Sequence, residues 1–193
     1  MPAASASVAV VLVCHDGARW LPAVLQGLRD QQVAPARVVA VDTGSKDGSA
    51  DLVEAALEPG SGELVRAPSS TAFPAALQLG LDALDAAGPP CEWGWVLHDD
   101  ANPAPGALAA LLAAADEHPD AAVLGPKLRE WPSLRRLLEL GITMSGTGRR
   151  ETGLERGEYD QGRHDEIRTV LAVDTGGDLG RRRVLDQLGG LHP

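Results

Sequence analysis

The sequence predicts an α/β fold in which a mostly parallel central sheet carries helices on both faces. Short apolar runs rich in valine alternate with stretches whose apolar residues recur at helical spacing, and short loops join them. The first run, residues 8–14, is continuously apolar, which is typical of a central parallel strand buried on both faces. The 193 residues are enough for one domain with a full-sized core.

Strands and helices alternate regularly over the first 125 residues. Each predicted strand is a short apolar run, and each predicted helix follows a turn or loop. A turn at residues 43–45 follows the second strand, and Asp47 or Ser49 can cap the next helix. A loop at residues 58–62 and the breaker at residues 88–90 end two helices. The predicted strands are residues 8–14, 37–42, 63–66, 93–97 and 121–125, and the predicted helices are about residues 18–31, 47–57, 73–87 and 105–117.

The pattern changes beyond the fifth strand. Residues 131–140 are ambiguous between helix and strand, and residues 146–166 are charged and glycine-rich, which predicts a long loop. Residues 167–173 are apolar enough for a strand. Residues 181–188 predict a short helix that ends at Gly189–Gly190. Because the chain stops abruptly after this helix, we expect it to be a fragment of a longer protein.

Composition excludes several classes of protein. The formal net charge of -10 disfavours nonspecific nucleic-acid binding, which needs a basic surface. Two cysteines make neither a disulfide framework nor a zinc motif, and Cys14 closes an apolar run as a buried thiol would. The first residues lack the basic region of a signal peptide, and no apolar run approaches 18 residues, so we expect no membrane segment and a cytoplasmic location.

Acidic side chains follow several of the predicted strands. His15–Asp16 follow the first strand, Asp42 ends the second, Asp99–Asp100 follow the fourth, and Asp174 follows the last. In a parallel sheet such positions lie along one edge, where ligands bind. A divalent Mg²⁺ or Mn²⁺ carrying a diphosphate would suit adjacent carboxylates there. The alternative for each acid is a turn or helix cap, which is our interpretation of Asp47.

Several motifs resemble family-2 glycosyltransferases of the GT-A fold. The segment at residues 41–49 closely matches the Asp-x-x-Ser-x-Asp-Gly-Ser/Thr signature of that family, and Leu97–Pro103 stands where the family keeps an acidic metal motif. Further similar segments are residues 10–21, 26–31, 123–127 and 189–193. The resemblance covers essentially the whole chain, and over residues 141–174 it is strongest to actinobacterial members that build cell-envelope glycans, which implies a role in cell wall biosynthesis.

The resemblance implies one GT-A, Rossmann-like domain over residues 1–193, truncated on its C-terminal side. Residues 1–125 would be the nucleotide-sugar-binding half, and residues 126–193 the start of the acceptor-side half. The implied reaction is metal-dependent, inverting transfer of a sugar from a nucleotide-diphosphate sugar to a hydroxyl of a glycan or lipid-linked acceptor. Attachment at the inner face of the membrane would then need parts of the protein that this chain lacks.

The resemblance also implies roles for individual residues of this chain. Asp42 would contact the base or ribose, Asp99 the ribose or the metal-bound phosphates, and Asp100 the metal, which is Mn²⁺ or Mg²⁺. His98 stands where many members have an acid, and it is either a second metal ligand or a histidine that packs under the loop. The residues implied in nucleotide-sugar binding are Cys14, His15, Asp16, Asp42, Gly44, Asp99 and Asp100.

No catalytic base is assigned, because the family's base lies downstream of the landmark at residues 189–193 and is therefore expected beyond Pro193. Asp174 and Asp178 lie near the expected acceptor region, but Asp178 stands where the family usually has an apolar residue. Two alternatives stay open. One is a donor-binding fragment without turnover. The other is a nucleotidyltransferase, which normally carries a glycine-rich, basic loop after the first strand, whereas residues 14–19 hold one glycine and one arginine.

Overall fold

The computed structural model describes residues 7–57, 60 and 62–188 and confirms the predicted fold class. A six-stranded sheet has the strand order β3-β2-β1-β4-β10-β5, and two small two-stranded sheets, β6-β7 and β8-β9, stand beside it. The elements are β1 Val8–Cys14, α1 Leu21–Arg29, β2 Arg37–Asp42, α2 Ser49–Ala56, β3 Gly62–Arg66, α3 Phe73–Ala86, β4 Trp93–His98, α4 Ala107–Glu117, β5 Val123–Leu124, β6 Leu128–Arg129, β7 Leu137–Glu139, β8 Thr143–Met144, β9 Arg150–Glu151, β10 Leu179–Arg181 and α5 Arg182–Leu188.

Strand β1 is the centre of the sheet. It pairs in parallel with β2 on one side and with β4 on the other, and β3 pairs in parallel with β2. In this register Cys14 lies opposite Asp42, and Val13 lies opposite His98. The last residues of three neighbouring strands therefore meet at the same edge of the sheet.

The sheet is covered on both faces, as the continuous apolar pattern of β1 predicts. Alternate residues of β1 point to opposite faces, because successive side chains of a strand do so. Val10 and Leu12 belong to one buried cluster with residues of α1 and α4, whereas Val11 and Val13 belong to the cluster that contains α3. All seven residues of β1 are buried.

The strand predicted at residues 167–173 is wrong. Only an isolated bridge between Ile142 and Ala172 forms there, and the side chains of Val170 and Val173 lie beside Gly141 and Gly125. Strand β10 takes its place in the main sheet and lies antiparallel between β4 and β5. The predicted parallel sheet therefore contains one antiparallel strand, supplied by the C-terminal part of the chain.

The rest of the C-terminal part has little regular structure. The ambiguous residues 131–140 contain only the short strand β7, and the predicted loop at residues 146–166 contains only β9. Lys127 donates hydrogen bonds to Asp160 and Asp165, at 3.0 and 2.5 Å, which ties this loop to the chain after β5.

The helix predicted at residues 181–188 is confirmed as α5, while its end at Gly189–Gly190 and the landmark at residues 189–193 lie outside the described residues. The helix predicted at residues 18–31 is shorter and runs over Leu21–Arg29. Among the described residues, no helix is both long and apolar enough to cross a membrane.

Candidate functional site

An open cleft of about 330 Å³ lies at the edge of the sheet where β1, β2 and β4 end. Its walls come from the loops that follow these strands and from the segment between β3 and α3. The lining residues are Val13, His15, Thr43, Ser69, Thr71, Phe73, His98, Asp99 and Asp100. The cleft therefore has the position that ligands take in open α/β sheets.

Asp42 ends β2 with its side chain almost fully buried. One carboxylate oxygen, Oδ2, accepts hydrogen bonds from the amides of Gly44 and Ser45, both at 3.2 Å. The other oxygen, Oδ1, is buried without a hydrogen-bond partner in the described structure. A buried acceptor without a donor is costly, so this oxygen is suited to a donor that arrives with a ligand.

Gly44 is needed for its backbone. Its φ of +74° lies in the left-handed region, and a Cβ there would stand 2.8 Å from the amide nitrogen of Ser69. A side chain would therefore push apart the loops that follow β2 and β3, which both line the cleft.

The loop after β1 is tied to the loop after β2 by polar contacts. The amide of Asp16 donates to Ser45 Oγ at 3.0 Å, and Asp16 Oδ1 accepts the amide of Lys46 at 2.7 Å. The imidazole of His15 lies over the same loop, with Nδ1 3.0 Å from the carbonyl oxygen of Thr43. His15 and Asp16 are exposed, and of the two only His15 lines the cleft.

Asp47 has a structural role, as the sequence indicates. It accepts hydrogen bonds from the amide of Ser49 at the start of α2 and from the amide of Ala18, at 3.0 and 2.9 Å. The hydrogen bond from the Ser49 hydroxyl is the largest reason that the pKa of this carboxyl lies below its usual range. Asp47 stands one position before Gly48, the N-cap residue of α2, so the acid binds the first amide of this helix and holds the loop after β1 at the same time.

Asp99 is held against the loop that follows β1. Its Oδ2 accepts the amide of His15 at 2.7 Å, and it is so close to Gly17 that no side chain fits at that position. Burial, together with the neighbouring charge of Asp100, raises the pKa of Asp99 above its usual range. A cation close to Asp99 would favour its charged form.

Asp100 is exposed at the rim of the cleft, whereas His98 is engaged by its neighbours. The His98 ring meets Phe73 edge to face with centroids 4.7 Å apart, and His98 Nε2 lies 3.2 Å from the hydroxyl of Thr175. These contacts match the packing role that was the alternative to metal binding for His98.

Cys14 does not line the cleft. Its side chain is fully buried in the core cluster that contains α1 and α4, and burial raises the pKa of its thiol far above the usual range. Only its carbonyl oxygen reaches the site, where it accepts the amide of Thr43 at 2.9 Å. The position predicted for binding therefore supports the loop after β2 instead of offering a side chain to a ligand.

The predicted site residues do not all meet in one place. His15, His98, Asp99 and Asp100 line the cleft together, whereas Asp16, Asp42 and Gly44 do not line it. Asp174 reaches this end of the sheet in a way the sequence did not indicate, because it precedes the antiparallel strand β10 and does not follow a parallel one. Its neighbour Thr175 makes the contact to His98.

Sequence reasoning missed the wall formed by Ser69, Thr71 and Phe73. This segment contains no acidic residue, so the pattern of acids after the strands did not indicate it. The available signal was its place after β3, since every loop at the carboxyl edge of a parallel sheet is a candidate for ligand contact.

The side chains at the cleft fit a metal ion that arrives bound to a ligand. They do not form a site that would hold a metal ion by protein side chains alone. Within the part of the chain that the structure describes, no three side chains of His, Cys, Asp or Glu come together as metal ligands. Mg²⁺ is commonly bound through one or two carboxylates plus the phosphates of a substrate, and the exposed Asp100 beside Asp99 supplies that number.

Comparison with known proteins points to one family. The family model described as glycosyl transferase family 2 matches residues 9–189 of this chain. No curated protein sequence matches the chain.

Solved structures share the fold. A mannosyltransferase from Pyrobaculum calidifontis, in complex with GDP-Man and Mn²⁺, has a TM-score of 0.66 at 17% identity over 99% of this chain and 49% of its own. Residues 1–349 of TarS from S. aureus give a TM-score of 0.59 at 18% identity over 95% of this chain and 49% of that one.

A third similar structure is glucosyl-3-phosphoglycerate synthase from Mycobacterium tuberculosis in complex with UDP, with a TM-score of 0.51 at 16% identity over 66% of this chain and 46% of its own. At these identities the likeness shows the fold, and the chain spans about half the length of the structures it matches.

Proposed function

The chain belongs to glycosyl transferase family 2, whose model matches residues 9–189, and on this premise we propose that it serves inverting, metal-dependent transfer of a sugar from a nucleotide-diphosphate sugar to an acceptor hydroxyl. In that reaction the acceptor oxygen forms a bond to the anomeric carbon. The bond from this carbon to the diphosphate oxygen breaks, and the nucleoside diphosphate leaves with the electron pair. The acceptor proton passes to a base, which we do not assign to any described residue.

The observation that carries the proposal is the gathering of acids at one end of the sheet. Asp42, Asp99 and Asp100 lie at the carboxyl ends of β2 and β4, on either side of β1 and beside the cleft. The partnerless oxygen of Asp42 would accept a hydrogen bond from the base or ribose of the donor. His15, Asp16 and Gly44 would shape the loops around it.

Charge explains why a divalent ion belongs to this proposal. A diphosphate placed beside Asp99 and Asp100 would be repelled unless a cation stood between them. Asp100 is the ligand we favour, because it is exposed, whereas His98 is occupied by Phe73 and Thr175. A bound divalent ion neutralises the charge that develops on the leaving diphosphate.

Neighbouring structures support the choice of ligands. The mannosyltransferase is complexed with GDP-Man and Mn²⁺, and the glucosyl-3-phosphoglycerate synthase with UDP. We therefore propose Mn²⁺ or Mg²⁺ as the ion and a guanosine or uridine diphosphate sugar as the donor. Residues 1–125 would bind this donor and residues 126–193 would begin the acceptor side, in cytoplasmic synthesis of a cell-wall glycan.

Donor binding without turnover is the second candidate. The acids at the cleft support donor binding by themselves, whereas transfer also needs a base, which we do not assign to any described residue. An assay for sugar transfer with this chain and with a longer parent protein separates the two, since both candidates bind the donor but only one transfers sugar.

The loop after β1 argues against a nucleotidyltransferase. Such an enzyme would present free backbone amides of this loop to phosphate oxygens. Here the amides of His15, Asp16 and Ala18 already donate to the side chains of Asp99, Ser45 and Asp47. These three donors are therefore not free to hold phosphate.

Calorimetric titration with UDP, GDP and dTDP, with and without Mn²⁺, tests the proposal. We expect one nucleotide to bind, Mn²⁺ to tighten its binding by about tenfold or more, and Asp100→Asn to remove the metal effect. Asp116→Asn, which removes an exposed acid near the end of α4, is the matched control and should bind like the wild type. The proposal fails if none of the nucleotides binds, or if the Asp100 variant responds to Mn²⁺ as the wild type does.

A further inference from the structure

A second, shallow depression adjoins the cleft. It is lined by Trp20, Ala23, Val24, Asp100, Asn102 and Trp131. Asp100 lines both this depression and the cleft, so a ligand in one would lie next to a ligand in the other.

The tryptophans of the chain fall into two pairs. Trp93 and Trp95 are almost fully buried in β4, whereas Trp20 and Trp131 are 36% and 45% exposed. Both exposed tryptophans border the same depression, although they are more than a hundred positions apart in sequence. Aromatic rings beside a few polar side chains are the combination that lines many ligand sites.

The ring of Trp20 is also held in place. The guanidinium carbon of Arg19 lies 4.3 Å from the centre of the Trp20 ring, which is a cation–π contact. The backbone amides of Ala23 and Val24 donate to the carbonyl oxygen of Trp20 at 3.0 and 3.3 Å, which fixes this residue at the start of α1. A ring that is already ordered loses little conformational entropy when a ligand stacks on it.

The composition of the depression selects one class of ligand. Indole faces pack against flat apolar surfaces, while the carboxylate of Asp100 and the carboxamide of Asn102 bind hydroxyl groups. A pyranose offers both, because its axial C–H groups form an apolar face and its hydroxyls surround the ring. An acyl chain would leave Asp100 and Asn102 without partners, and in the metal-free protein an anion would be repelled by Asp100.

The depression is too shallow to enclose a sugar. Its volume of about 10 Å³ has room for roughly one water molecule, so a pyranose would lie across the two indoles and would not enter a pocket. We therefore expect weak binding of a single sugar, in the millimolar range.

We propose that Trp20, Trp131, Asp100 and Asn102 form a subsite for the pyranose ring of the acceptor. The stacking of a pyranose on the two indoles does not depend on the reaction, but the identification of this pyranose as the acceptor sugar rests on the proposed function. Since Asp100 separates this subsite from the cleft, the acceptor sugar would stand beside the donor. The acceptor would then be a glycan end, and not the hydroxyl of a lipid or protein.

The four indole N–H groups provide a direct test by ¹H–¹⁵N NMR of the whole chain. Methyl pyranosides of mannose, glucose, galactose and N-acetylglucosamine are titrated separately, and the signals are assigned with Trp20→Phe and Trp131→Phe. We expect at least one glycoside to shift the signals of Trp20 and Trp131 and to leave Trp95 unmoved, because the Trp95 N–H donates to the carbonyl oxygen of Gly177 inside the protein.

Substitutions measure what each ring contributes. Trp20→Ala and Trp131→Ala should each weaken glycoside binding by about tenfold, and the phenylalanine variants should retain part of it. Tyr159→Ala is the control, since Tyr159 is 50% exposed but lies outside the depression, and it should bind like the wild type. Unchanged affinity in both alanine variants would overturn the inference. The inference would also fail if the cation tetramethylammonium shifted the two indole signals and no glycoside did, because the rings would then bind cations and not sugars.

Nucleotide titration in parallel separates this inference from the proposed function. If UDP or GDP binds with Mn²⁺ but no glycoside moves Trp20 or Trp131, the subsite is wrong and the proposed donor binding stands. If a glycoside binds at the two indoles and no nucleotide binds, the stacking is supported, and its assignment to an acceptor fails together with the transferase proposal.

Discussion

The first part of the chain, residues 7–125, and the second part, residues 126–188, are built in different ways. Of the buried hydrophobic residues that form the core, only Leu137 and Leu179 come from the second part. The second part instead exposes many large apolar side chains, namely Trp131, Leu134, Leu138, Met144, Tyr159, Ile167, Leu171 and Leu188.

The second part, which buries little apolar surface, contains several ion pairs. In the second part Lys127 pairs with Asp160 and Asp165, and Arg150 pairs with Glu139. Burial is insensitive to salt, whereas charge pairs near the surface are screened by it. The two parts should therefore respond to different perturbations, namely the loss of buried volume in the first part and the loss of charge pairs in the second.

The largest effect is expected from removing core volume in the first part. Leu12→Ala should lower the free energy of unfolding by about 3 kcal/mol, because Leu12 is fully buried at the centre of β1 and its loss leaves a cavity. Leu138→Ala is the matched control in the second part and should cost less than about 0.5 kcal/mol, because Leu138 is 56% exposed. Urea unfolding measures both, and equal losses would contradict the comparison.

The second-largest loss of stability is expected from a side chain added to the backbone beside the cleft. Gly44→Ala should cost about 2 kcal/mol and weaken nucleotide binding, because a left-handed residue gains a Cβ that strikes the Ser69 amide. Gly48→Ala is the control: its φ of +90° is also left-handed, but nothing lies within 4 Å of the added Cβ. It should cost about 1 kcal/mol and leave nucleotide binding unchanged. Equal effects in urea unfolding and calorimetry would show that the contact with Ser69 is unimportant.

The sequence predicted the first part well for a physical reason. Residues 8–14 are apolar without a break because β1 is buried on both faces, and this burial also fixes the parallel pairing with β2 and β4. Once the strands are known, their carboxyl ends must share an edge, so the positions of Asp42, Asp99 and Asp100 follow from the pattern. The side-chain details do not follow from the shared edge. The apolar run predicted Cys14 as a buried thiol, which the structure confirms, whereas the resemblance placed this residue at the site.

In the second part the sequence pattern is a poor guide. Residues 167–173 have the composition of a strand, but the structure forms only the single bridge from Ala172 to Ile142 there. Strand β10, Leu179–Arg181, has glycine at its centre and no apolar run, yet it enters the main sheet because β4 and β5 leave a gap that it fills. Such pairing depends on distant residues, which a local pattern does not contain.

The next effect concerns Asp178, a half-buried acid of the second part. Burial, with the charge of Asp174, raises the pKa of Asp178 to about 7, and its Oδ1 lacks a partner in the described structure. The folded state keeps this proton between about pH 4 and pH 7 while the unfolded state loses it, so stability falls as pH rises through this window and levels off above it. Asp178→Asn should remove that fall.

Urea unfolding at pH 5 and pH 8 measures the difference. At pH 8 we expect Asp178→Asn to exceed the wild type by between about 1 and 2 kcal/mol, because the amide carries no charge to bury. Asp116→Asn removes an equal charge at an exposed position and should leave the pH dependence as it is in the wild type. If the Asp178 variant loses stability between the two pH values as steeply as the wild type, this carboxyl does not carry the burial cost.

The smallest loss of stability is expected from removing one cation of an ion pair, and this change tests the role of charge directly. Lys127→Met and Arg66→Met each remove one cation from an ion pair, but Lys127 is 26% exposed and holds two acids, whereas Arg66 and its partner Glu54 are both more than half exposed. Lys127→Met should therefore cost about 1 kcal/mol at low salt and less at high salt, while Arg66→Met stays within about 0.5 kcal/mol. Hydrogen exchange should also speed up at residues 158–166 in the Lys127 variant alone, because Asp160 and Asp165 lose their anchor. If both variants lose the same stability at every salt concentration, the second part does not depend on its charges more than the first, and the contrast between burial and ion pairing is wrong.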